Sequence, residues 1–349
     1  MNKVFDLIDK LEKVKGLTVD EYVSILDGFS PSSAEYIAEK ADRARKEIYG
    51  NNVFIRGLIE ISNICKNNCF YCGIRRDNAN CQRYRLTKSE ILDSCKSGYE
   101  LGFRTFVLQG GEDGYFNDGL LCEIIKEIKV NFSDCAVTLS LGERSFESYK
   151  ALYDAGADRY LLRHEAVSED LYSALHPKEM LLSNRLECLN NLKKIGYQVG
   201  CGFMVGAPGQ TNLHIAQDLK FIEEFKPDMC GIGPFIPHKD TIYNNEKSGT
   251  AEFTCYLLSI IRLVKPNILL PATTALGTVE KRGREKGILA GANVVMPNLS
   301  PREVRKKYDL YDNKISIGAE SAENIKILKD KMNKIGFSVV IDRGDIKEI

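Results

Sequence analysis

The fold is decided by residues 58–73, which read LIEISNICKNNCFYCG. The first five residues are mostly apolar, which is typical of a buried β-strand. Three cysteines, Cys65, Cys69 and Cys72, follow in a C-x3-C-x2-C pattern. Three thiolates that close on one loop are suited to an iron–sulfur cluster, because such clusters are held by cysteine sulfur. The stretch therefore predicts a metal centre at the end of a strand.

Two other interpretations of these cysteines remain open, an incomplete zinc site and three buried packing residues. Structural zinc sites use four protein ligands, usually in two separated pairs, and neither a second pair nor a nearby histidine follows here. Three ligands on a four-iron cluster leave one iron open for another molecule. The other eight cysteines have no ligand spacing, and we expect them to pack as small apolar side chains: Cys81, Cys95, Cys122, Cys135, Cys188, Cys201, Cys230 and Cys255.

The composition argues against two classes of function. Lys+Arg and Asp+Glu both number 48 among 349 residues, so the formal net charge is zero, whereas a general nucleic-acid binder needs a basic surface. No apolar run is long enough to span a membrane. The start, MNKVFDLIDKLEKVKG, lacks the apolar core of a signal peptide. With 11 cysteines and no sign of secretion, the chain is predicted to be cytoplasmic rather than disulfide-bonded.

Short apolar runs alternate with amphipathic helical patterns from residue 53 onward. The predicted strands cover residues 58–62, 105–109, 136–141, 159–163, 199–205, 229–234, 268–273 and 293–296. Helix C-caps are predicted at Gly102, Gly156, Gly196 and Gly291. Eight strands alternating with helices predict an α/β fold of the (β/α)8 TIM barrel type, whose chemistry lies on the loops after the strands. An open doubly wound sheet is the alternative, but no G-x-G-x-x-G follows the first strand.

The two ends of the chain are predicted to lie outside this barrel. Residues 1–52 form a helical extension in which Ser30 is an N-cap and Pro31 begins a helix. Residues 53–310 form the barrel. Residues 311–349 hold a helix over 319–335 and an extended tail over 337–342, and we expect both to pack on one end of the barrel.

Polar residues follow nearly every predicted strand, where a barrel places its active site. Gly110 and Gly111 permit close approach of a ligand, and the Glu112 carboxylate can receive an ammonium group. A surface turn is the alternative there. Arg163 and Glu165 close the fourth strand, where core positions would be apolar. Their alternative role is a structural ion pair.

Further candidates lie at other strand ends and on a following helix. The Arg163 and Arg185 guanidinium groups are each suited to bidentate contact with a carboxylate. Gly206 lies in a turn that can present backbone groups to an adenosine. Thr273 and Thr274 would place two hydroxyls over the barrel mouth, although threonine in a strand is often only a β-former.

The cysteine motif, with Tyr71 before its last cysteine, resembles the radical S-adenosylmethionine (radical SAM) enzymes. The resemblance implies one [4Fe-4S] cluster on Cys65, Cys69 and Cys72, with SAM bound at the open iron. It implies reductive cleavage of SAM to methionine and a 5'-deoxyadenosyl radical. It also implies that Tyr71 lies near the adenine. The residues assigned to the SAM site are Tyr71, Gly110, Gly111, Glu112, Ser140, Glu165, Arg185 and Gly206.

Longer strings narrow the resemblance to the HydE family, the radical SAM maturases of [FeFe]-hydrogenase. These strings cover residues 65–78, 83–87, 138–143, 158–165, 231–238, 271–278 and 291–301. The resemblance implies action on a sulfur-bearing substrate, a cysteine-bound iron carbonyl cyanide synthon from the maturase HydG, during assembly of the diiron subcluster. It implies a substrate cavity lined by Arg163, Thr273, Thr274 and Tyr308. Implied partners are HydG, HydF and an electron donor such as ferredoxin or flavodoxin.

One motif of that family is missing. Many members carry a second cluster motif, C-x7-C-x2-C, where this chain has Ser316, Asn324 and Ile327. None of these side chains is a good cluster ligand, so we predict a single cluster. Two alternatives to a maturase remain: a radical SAM mutase or sulfur-inserting enzyme of the methylornithine synthase or biotin synthase type, and a non-catalytic iron–sulfur carrier.

Overall fold

The computed structural model describes residues 2–315 and 318–348. Three helices precede the sheet: α1 Asn2–Val14, α2 Val19–Asp27 and α3 Pro31–Tyr49. The predicted start of α3 is confirmed, because the Ser30 hydroxyl oxygen accepts the N–H of Ser33 and Pro31 is the first helical residue.

The strands that follow are short and mostly buried. They are β1 Asn52–Ile55, β2 Gly57–Ser62, β3 Thr105–Gly110, β4 Ala136–Ser140, β5 Arg159–Leu161, β6 Gln198–Cys201, β7 Met204–Val205, β8 Met229–Cys230, β9 Gly233–Pro234, β10 Val294–Val295 and β11 Ser338–Val340. Parallel strands buried on both faces are expected to be apolar along their whole length, as β2 and β4 nearly are.

The parallel sheet closes on itself. Six strands are hydrogen-bonded in the order β2-β3-β4-β5-β6-β8. Parallel bridges from Met229 to Leu269 and from Pro271 to Val294 continue the sheet beyond β8. The last strand then returns to the first, because β10 pairs with β1 and Leu58 bridges Asn298. The closed sheet confirms the predicted (β/α)8 barrel.

Helices surround this barrel. They are α4 Lys88–Glu100, α5 Asp118–Asn131, α6 Phe146–Asp154, α7 Glu169–Leu175, α8 Leu182–Ile195, α9 Asn212–Phe225, α10 Ala251–Val264, α11 Thr274–Val279, α12 Gly283–Leu289, α13 Arg302–Arg305 and α14 Ile325–Lys334. The four glycines predicted as helix ends, Gly102, Gly156, Gly196 and Gly291, all have positive φ. The N-terminal helices lie outside the barrel, with α2 on α9 and α3 on α10.

Several predicted strands are shorter or divided. The predicted strand 199–205 is split into β6 and β7 by Gly202, where a Cβ atom would lie 2.0 Å from the carbonyl oxygen of Gly231. The predicted strand 268–273 makes only the bridges at Leu269 and Pro271. The short β1 was not predicted.

The C-terminal helix is also shorter than predicted. Residues 318–324 form two 3-10 turns, Gly318–Glu320 and Ala322–Asn324, before α14 begins. The reason is tertiary hydrogen bonding, because the N–H of Asn298 donates to the Glu320 carbonyl and the N–H of Ala322 donates to the Asn298 carbonyl. These residues therefore lie beside Asn298, where Ser321 makes a parallel bridge, and do not form the first turns of α14.

The predicted extended tail packs at the amino-terminal end of the barrel. β11 pairs in parallel with β1. Residues 343–345, which we call the floor segment, then reach the lower barrel interior. The Arg343 carbonyl accepts hydrogen bonds from Thr105 Oγ1 at 2.7 Å and Arg159 Nη2 at 2.9 Å, and Asp345 Oδ1 accepts from Arg159 Nη2 at 2.5 Å.

The structure also shows where the missing second cluster motif would lie. At the positions of the missing second motif, Asn324 ends a 3-10 turn and Ile327 lies in α14, whereas Ser316 lies outside the described residues. Within the ranges 2–315 and 318–348, every helix is too short or too polar to cross a bilayer. The division into 1–52, 53–310 and 311–349 stays a prediction.

Candidate active site

The cysteine loop joins β2 to α4 at the carboxyl end of the barrel strands. Cys65, Cys69 and Cys72 are partly exposed. A four-iron cluster places each thiolate on a different iron. Three cysteines on one loop therefore suit such a cluster.

Glu112 connects the cysteine loop to the end of β4. Its backbone N–H donates to Cys65 Sγ at 3.4 Å, and its carboxylate lies 3.1 Å from Lys66 Nζ. On the other side, Glu112 Oε1 accepts the N–H of Glu143 at 3.0 Å. Gly142 makes this approach possible, because it has φ +75° and a Cβ there would lie 2.1 Å from Glu112 Cγ.

Arg185, from α8, extends this series of contacts to the residues just after β5. Its Nε donates to Glu143 Oε1 at 2.6 Å, and its Nη1 donates to the carbonyl oxygen of Arg163 at 2.5 Å. The side chain is buried, and its pKa is raised: burial alone would lower it, but the nearby anionic groups outweigh that effect. Arg185 is therefore a fixed charge that joins two strand ends.

The residues just after β5 hold buried polar atoms without hydrogen-bond partners. Glu165 is 6% exposed and has φ +64°, a conformation that non-glycine residues rarely adopt. Arg163 Nη2 lies 3.3 Å from Glu165 Oε2, so the alternative ion pair is present. Even so, Arg163 Nε and Nη2 and Glu165 Oε2 have no hydrogen-bond partner among the described residues. Such atoms are suited to a ligand.

His164, between those two residues, packs inside the protein. Its ring lies against Phe203 and Phe221, and Gly202 N–H donates to its Nδ1 at 3.3 Å. Its Nε2 lies 3.4 Å from the buried carboxylate of Asp218 on α9. The structure thus favours the packing interpretation of His164 over a ligand role.

An apolar cover formed by α7 and the residues after it packs on the cysteine loop. The Tyr71 hydroxyl lies 3.5 Å from His176 Nε2, and Met180 Sδ lies 3.7 Å from Cys69 Sγ. His176 stacks on Tyr172, and burial, with the charge of Arg185, lowers the pKa of His176 to about 3. The side chain is therefore neutral at physiological pH, and the wall around Tyr71 is largely uncharged.

The remaining predicted residues differ in how closely they join this group. Ser140 ends β4 beside Gln109 of β3. The buried Thr273 Oγ1 has no partner among the described residues, whereas Thr274 Oγ1 accepts a hydrogen bond from Arg284 at 3.3 Å. Gly206 is exposed, and its N–H already donates a hydrogen bond to the Gln210 side-chain oxygen.

Tyr308 is buried, and its hydroxyl accepts a hydrogen bond from Gln109 Nε2 at 3.3 Å. Gln109 directly precedes the glycines of the β3 end, so Tyr308 lies beside the predicted SAM loop. Burial raises the pKa of the Tyr308 phenol well above its usual range. It is therefore a neutral hydroxyl at physiological pH.

Sequence reasoning missed several residues of this region. Glu143 was visible at a strand end but was given no role, and Gln109, His176 and Met180 were not singled out. Glu60 also carried a signal, since it is a charged residue in the middle of the apolar run of β2. Its partner, Lys314, gave no signal of its own.

Comparison with known proteins agrees with this geometry. The profile of the radical SAM superfamily matches residues 59–222. Over 347 residues the chain is 42% identical to the [FeFe] hydrogenase maturase subunit HydE of Thermotoga maritima. This alignment covers 99% of this chain and 98% of that protein. The chain belongs to the HydE family. As a HydE-family protein it is a radical SAM enzyme, and its family uses a [4Fe-4S] cluster and SAM.

Solved structures share the HydE-family fold described above. Methylornithine synthase superposes with a TM-score of 0.82 at 25% identity, covering 96% of this chain and 97% of that one. HydG, a maturase of the [FeFe]-hydrogenase, superposes with a TM-score of 0.80 at 22% identity, covering 96% of this chain and 75% of that one. The likeness to HydG shows a shared fold alone.

Proposed function

We propose that this HydE-family enzyme cleaves SAM reductively during assembly of the diiron site of [FeFe]-hydrogenase. One observation carries the proposal beyond family membership. A continuous series of contacts runs from Cys65 through Glu112 and Glu143 to Arg185, and from there to the residues just after β5. This series joins the metal loop to polar groups that a bound cofactor would need.

The cluster and SAM would be held by residues of this series. Cys65, Cys69 and Cys72 would bind one [4Fe-4S] cluster, which when reduced supplies the electron that splits SAM into methionine and a 5'-deoxyadenosyl radical. Glu112 already lies 3.1 Å from the Lys66 ammonium, so its carboxylate is suited to the amino group of SAM. Gly111 lets the end of β3 lie against the cysteine loop, because a Cβ there would lie 2.3 Å from the Ile64 carbonyl oxygen, and we assign both Gly110 and Gly111 to the SAM loop.

Further SAM contacts are assigned to the adjoining strand ends. Glu165 Oε2 accepts no hydrogen bond among the described residues, although Arg163 Nη2 lies 3.3 Å away, and it is suited to ribose hydroxyls. Arg185 would orient this region through Glu143 and the Arg163 carbonyl. The other residues that we assign to the SAM site are Tyr71, Ser140 and Gly206.

The substrate would lie deeper in the barrel mouth. Arg163 Nε and Nη2 and the Thr273 hydroxyl make no hydrogen bond among the described residues, and they are suited to a carboxylate-bearing, sulfur-containing molecule. Tyr308 would add a neutral hydroxyl. Thr274 also belongs to our assignment, although its hydroxyl oxygen already accepts from Arg284.

The partners follow from the proposed reaction. We propose HydG as the source of the substrate and HydF as a further maturase, with ferredoxin or flavodoxin as the electron donor. The proposal places the enzyme in the cytoplasm, without a nucleic-acid or membrane partner. It also retains the division into a helical extension, a barrel and a C-terminal segment.

Replacing one cysteine ligand tests the cluster and SAM cleavage. In Cys69→Ala, one of three ligands is lost, and we expect anaerobic reconstitution to leave less than half the iron and at least 100-fold less 5'-deoxyadenosine than in the wild type. Iron analysis, absorption spectra and chromatography measure both. Cys122→Ala, on α5, is the matched control and should behave as the wild type. A fully loaded wild-type protein that forms no 5'-deoxyadenosine would exclude the proposed reaction.

A maturation assay that lacks only this protein tests the biological role. Adding the reconstituted enzyme should restore hydrogenase activity, and adding Cys69→Ala should not. The resemblance to methylornithine synthase gives a second candidate, a mutase acting on lysine. Formation of a rearranged amino acid from lysine, with no restored hydrogenase activity, would favour that candidate.

A further inference from the structure

Residues 307–314, which we call the strap, cross the mouth of the barrel. Their backbone is bound to several parts of the site: the Lys307 carbonyl accepts from Asn63 Nδ2 at 2.7 Å, and the Leu310 carbonyl accepts from the N–H of Gly73 at 2.9 Å. Gly73 directly follows Cys72. The strap is therefore attached to the cysteine loop as well as to the end of β2.

A buried ion pair anchors the strap to the barrel interior. Lys314 Nζ contacts Glu60 Oε1, and the two side chains are 10% and 1% exposed. The other oxygen, Glu60 Oε2, accepts from Asn298 Nδ2 at 2.8 Å. A charge buried to this degree is costly unless it is paired. The pairing therefore favours the position of the strap seen here.

The same lysine fixes Tyr308. Lys314 Nζ donates to the Tyr308 carbonyl oxygen at 2.8 Å and lies 4.7 Å from the centre of the Tyr308 ring. The ring is thereby held between the ammonium group and the Gln109 amide, which donates to its hydroxyl. A cation over an aromatic face is attractive, more so when both are desolvated.

His238 holds the other side of the strap. Its Nε2 lies 3.5 Å from Asp309 and 4.0 Å from Asp312. This group is unsuited to a metal, because His238 Nδ1 accepts the backbone N–H of Asp240. The proton of the neutral ring is then on Nε2, where it can donate to a carboxylate but leaves no lone pair for a cation. His238, Asp309 and Asp312 therefore attach the strap to the rest of the barrel and do not bind a metal.

We propose that Lys314 is a positioning residue, which, through its ion pair with Glu60, holds the strap and Tyr308 against the end of β3. This inference deepens the proposed function and rests on it where Tyr308 faces the substrate. Lys314 acts through Tyr308 and does not itself touch the reacting atoms. Loss of the pair would loosen Tyr308, so radicals would form without productive transfer to substrate.

Two variants of the reconstituted enzyme separate positioning from charge balance. Lys314→Met leaves Glu60 buried and unpaired, so it should lower the thermal midpoint. The double variant Glu60→Gln/Lys314→Met removes both charges, and its thermal midpoint should recover. The matched control is Lys306→Met, which removes an exposed lysine just before the strap.

Two quantities are measured on each variant. The first is the rate of hydrogen–deuterium exchange of strap peptides, and the second is the hydrogenase activity restored per 5'-deoxyadenosine formed in the maturation mixture. In both Lys314 variants we expect the strap peptides to exchange at least tenfold faster and the restored activity per 5'-deoxyadenosine to fall at least tenfold, whereas the control should be unchanged. Unchanged exchange, or a ratio restored in the double variant, would overturn the inference. If the wild type forms no 5'-deoxyadenosine, the proposed function fails, while the exchange rates still decide whether Lys314 holds the strap.

Discussion

Arg185 makes two hydrogen bonds that a lysine in its place could not make in the same geometry. Its guanidinium joins Glu143 to the Arg163 carbonyl, and a lysine offers only a single nitrogen on a flexible chain. We expect Arg185→Lys to weaken SAM binding about tenfold, roughly 1.4 kcal/mol, the scale of one charge-assisted hydrogen bond. Calorimetric titration of the reconstituted protein with SAM measures this.

Arg104→Lys is the matched control for that change. Arg104 precedes β3 at the opposite end of the barrel, where it pairs with Asp134 and stacks on Tyr99. The affinity for SAM should be the same as in the wild type. Equal affinities in the Arg185 and Arg104 variants would show that Arg185 has no part in the SAM site.

Single residues were predictable where their signal was local. Cys65, Cys69 and Cys72 lie within eight residues, and their spacing alone predicts a metal centre. Glu143 could not be assigned in this way, because its role depends on Arg185, which is 42 residues away and comes from another helix. Such a pairing becomes visible only when the fold brings the two elements together.

At the scale of elements, the end of β3 must lie against the cysteine loop. A Cβ atom on Gly111 would lie 2.3 Å from the Ile64 carbonyl oxygen and 2.8 Å from Cys65 Cβ. Gly111→Ala should therefore push the two loops apart and lower iron loading at least twofold, as measured by iron analysis after reconstitution.

Gly114→Ala, in the same loop, is a matched control. A Cβ there meets no atom within 4 Å, so iron loading should be unchanged. If Gly111→Ala loads as much iron as Gly114→Ala, the close contact between these loops does not matter for the cluster.

Helices and strands were predictable where hydrophobic pattern and turn residues agreed. The four C-cap glycines and the N-cap of α3 are local features, and they are all present. The predicted helix 319–335 begins late because residues near Ser321 pair with Asn298 instead. Hydrogen bonds of this kind override helical periodicity, and no local pattern reports them.

For the whole molecule, the floor segment links the C-terminal region to the barrel. Burial acts to raise the pKa of Asp345, but the charges of Arg159 and Arg343 outweigh it and hold that pKa at about 2. Asp345→Asn leaves the buried Arg159 without this carboxylate and should cost about 1–2 kcal/mol at neutral pH, a reduced value because Asp345 is 39% exposed.

The pH dependence has a definite sign. A carboxyl whose pKa is lower in the folded state stabilises the protein above its unfolded pKa of about 3.9, and this stabilisation is lost as the pH falls through about 2. The difference in urea midpoint between wild type and Asp345→Asn should therefore be constant from pH 7 to 5 and shrink between pH 4 and 2. Glu348→Gln, an exposed neighbour, should show no difference. A gap that widens on acidification would contradict this assignment.

The barrel class was predictable because alternation of strands and helices repeats along the chain. The floor was not, because Arg159 and Asp345 are 186 residues apart and neither position shows a pattern. The sequence pattern placed an extended tail at one end of the barrel. Its pairing with β1 and its salt bridge depend on the closed sheet.

The pairing of β1 with β11 has a consequence for biosynthesis. Asn52 pairs with Ser338 in the sheet, so β1 gains β11 as its second neighbouring strand only after roughly 290 further residues have been synthesised. Until then Val53, Phe54 and Ile55 form an apolar strand edge without its final partner. Such edges are sites of aggregation in nascent chains. We therefore expect the yield of folded protein to rise when newly made chains are kept apart, by chaperones or by slow expression, until the barrel floor has closed.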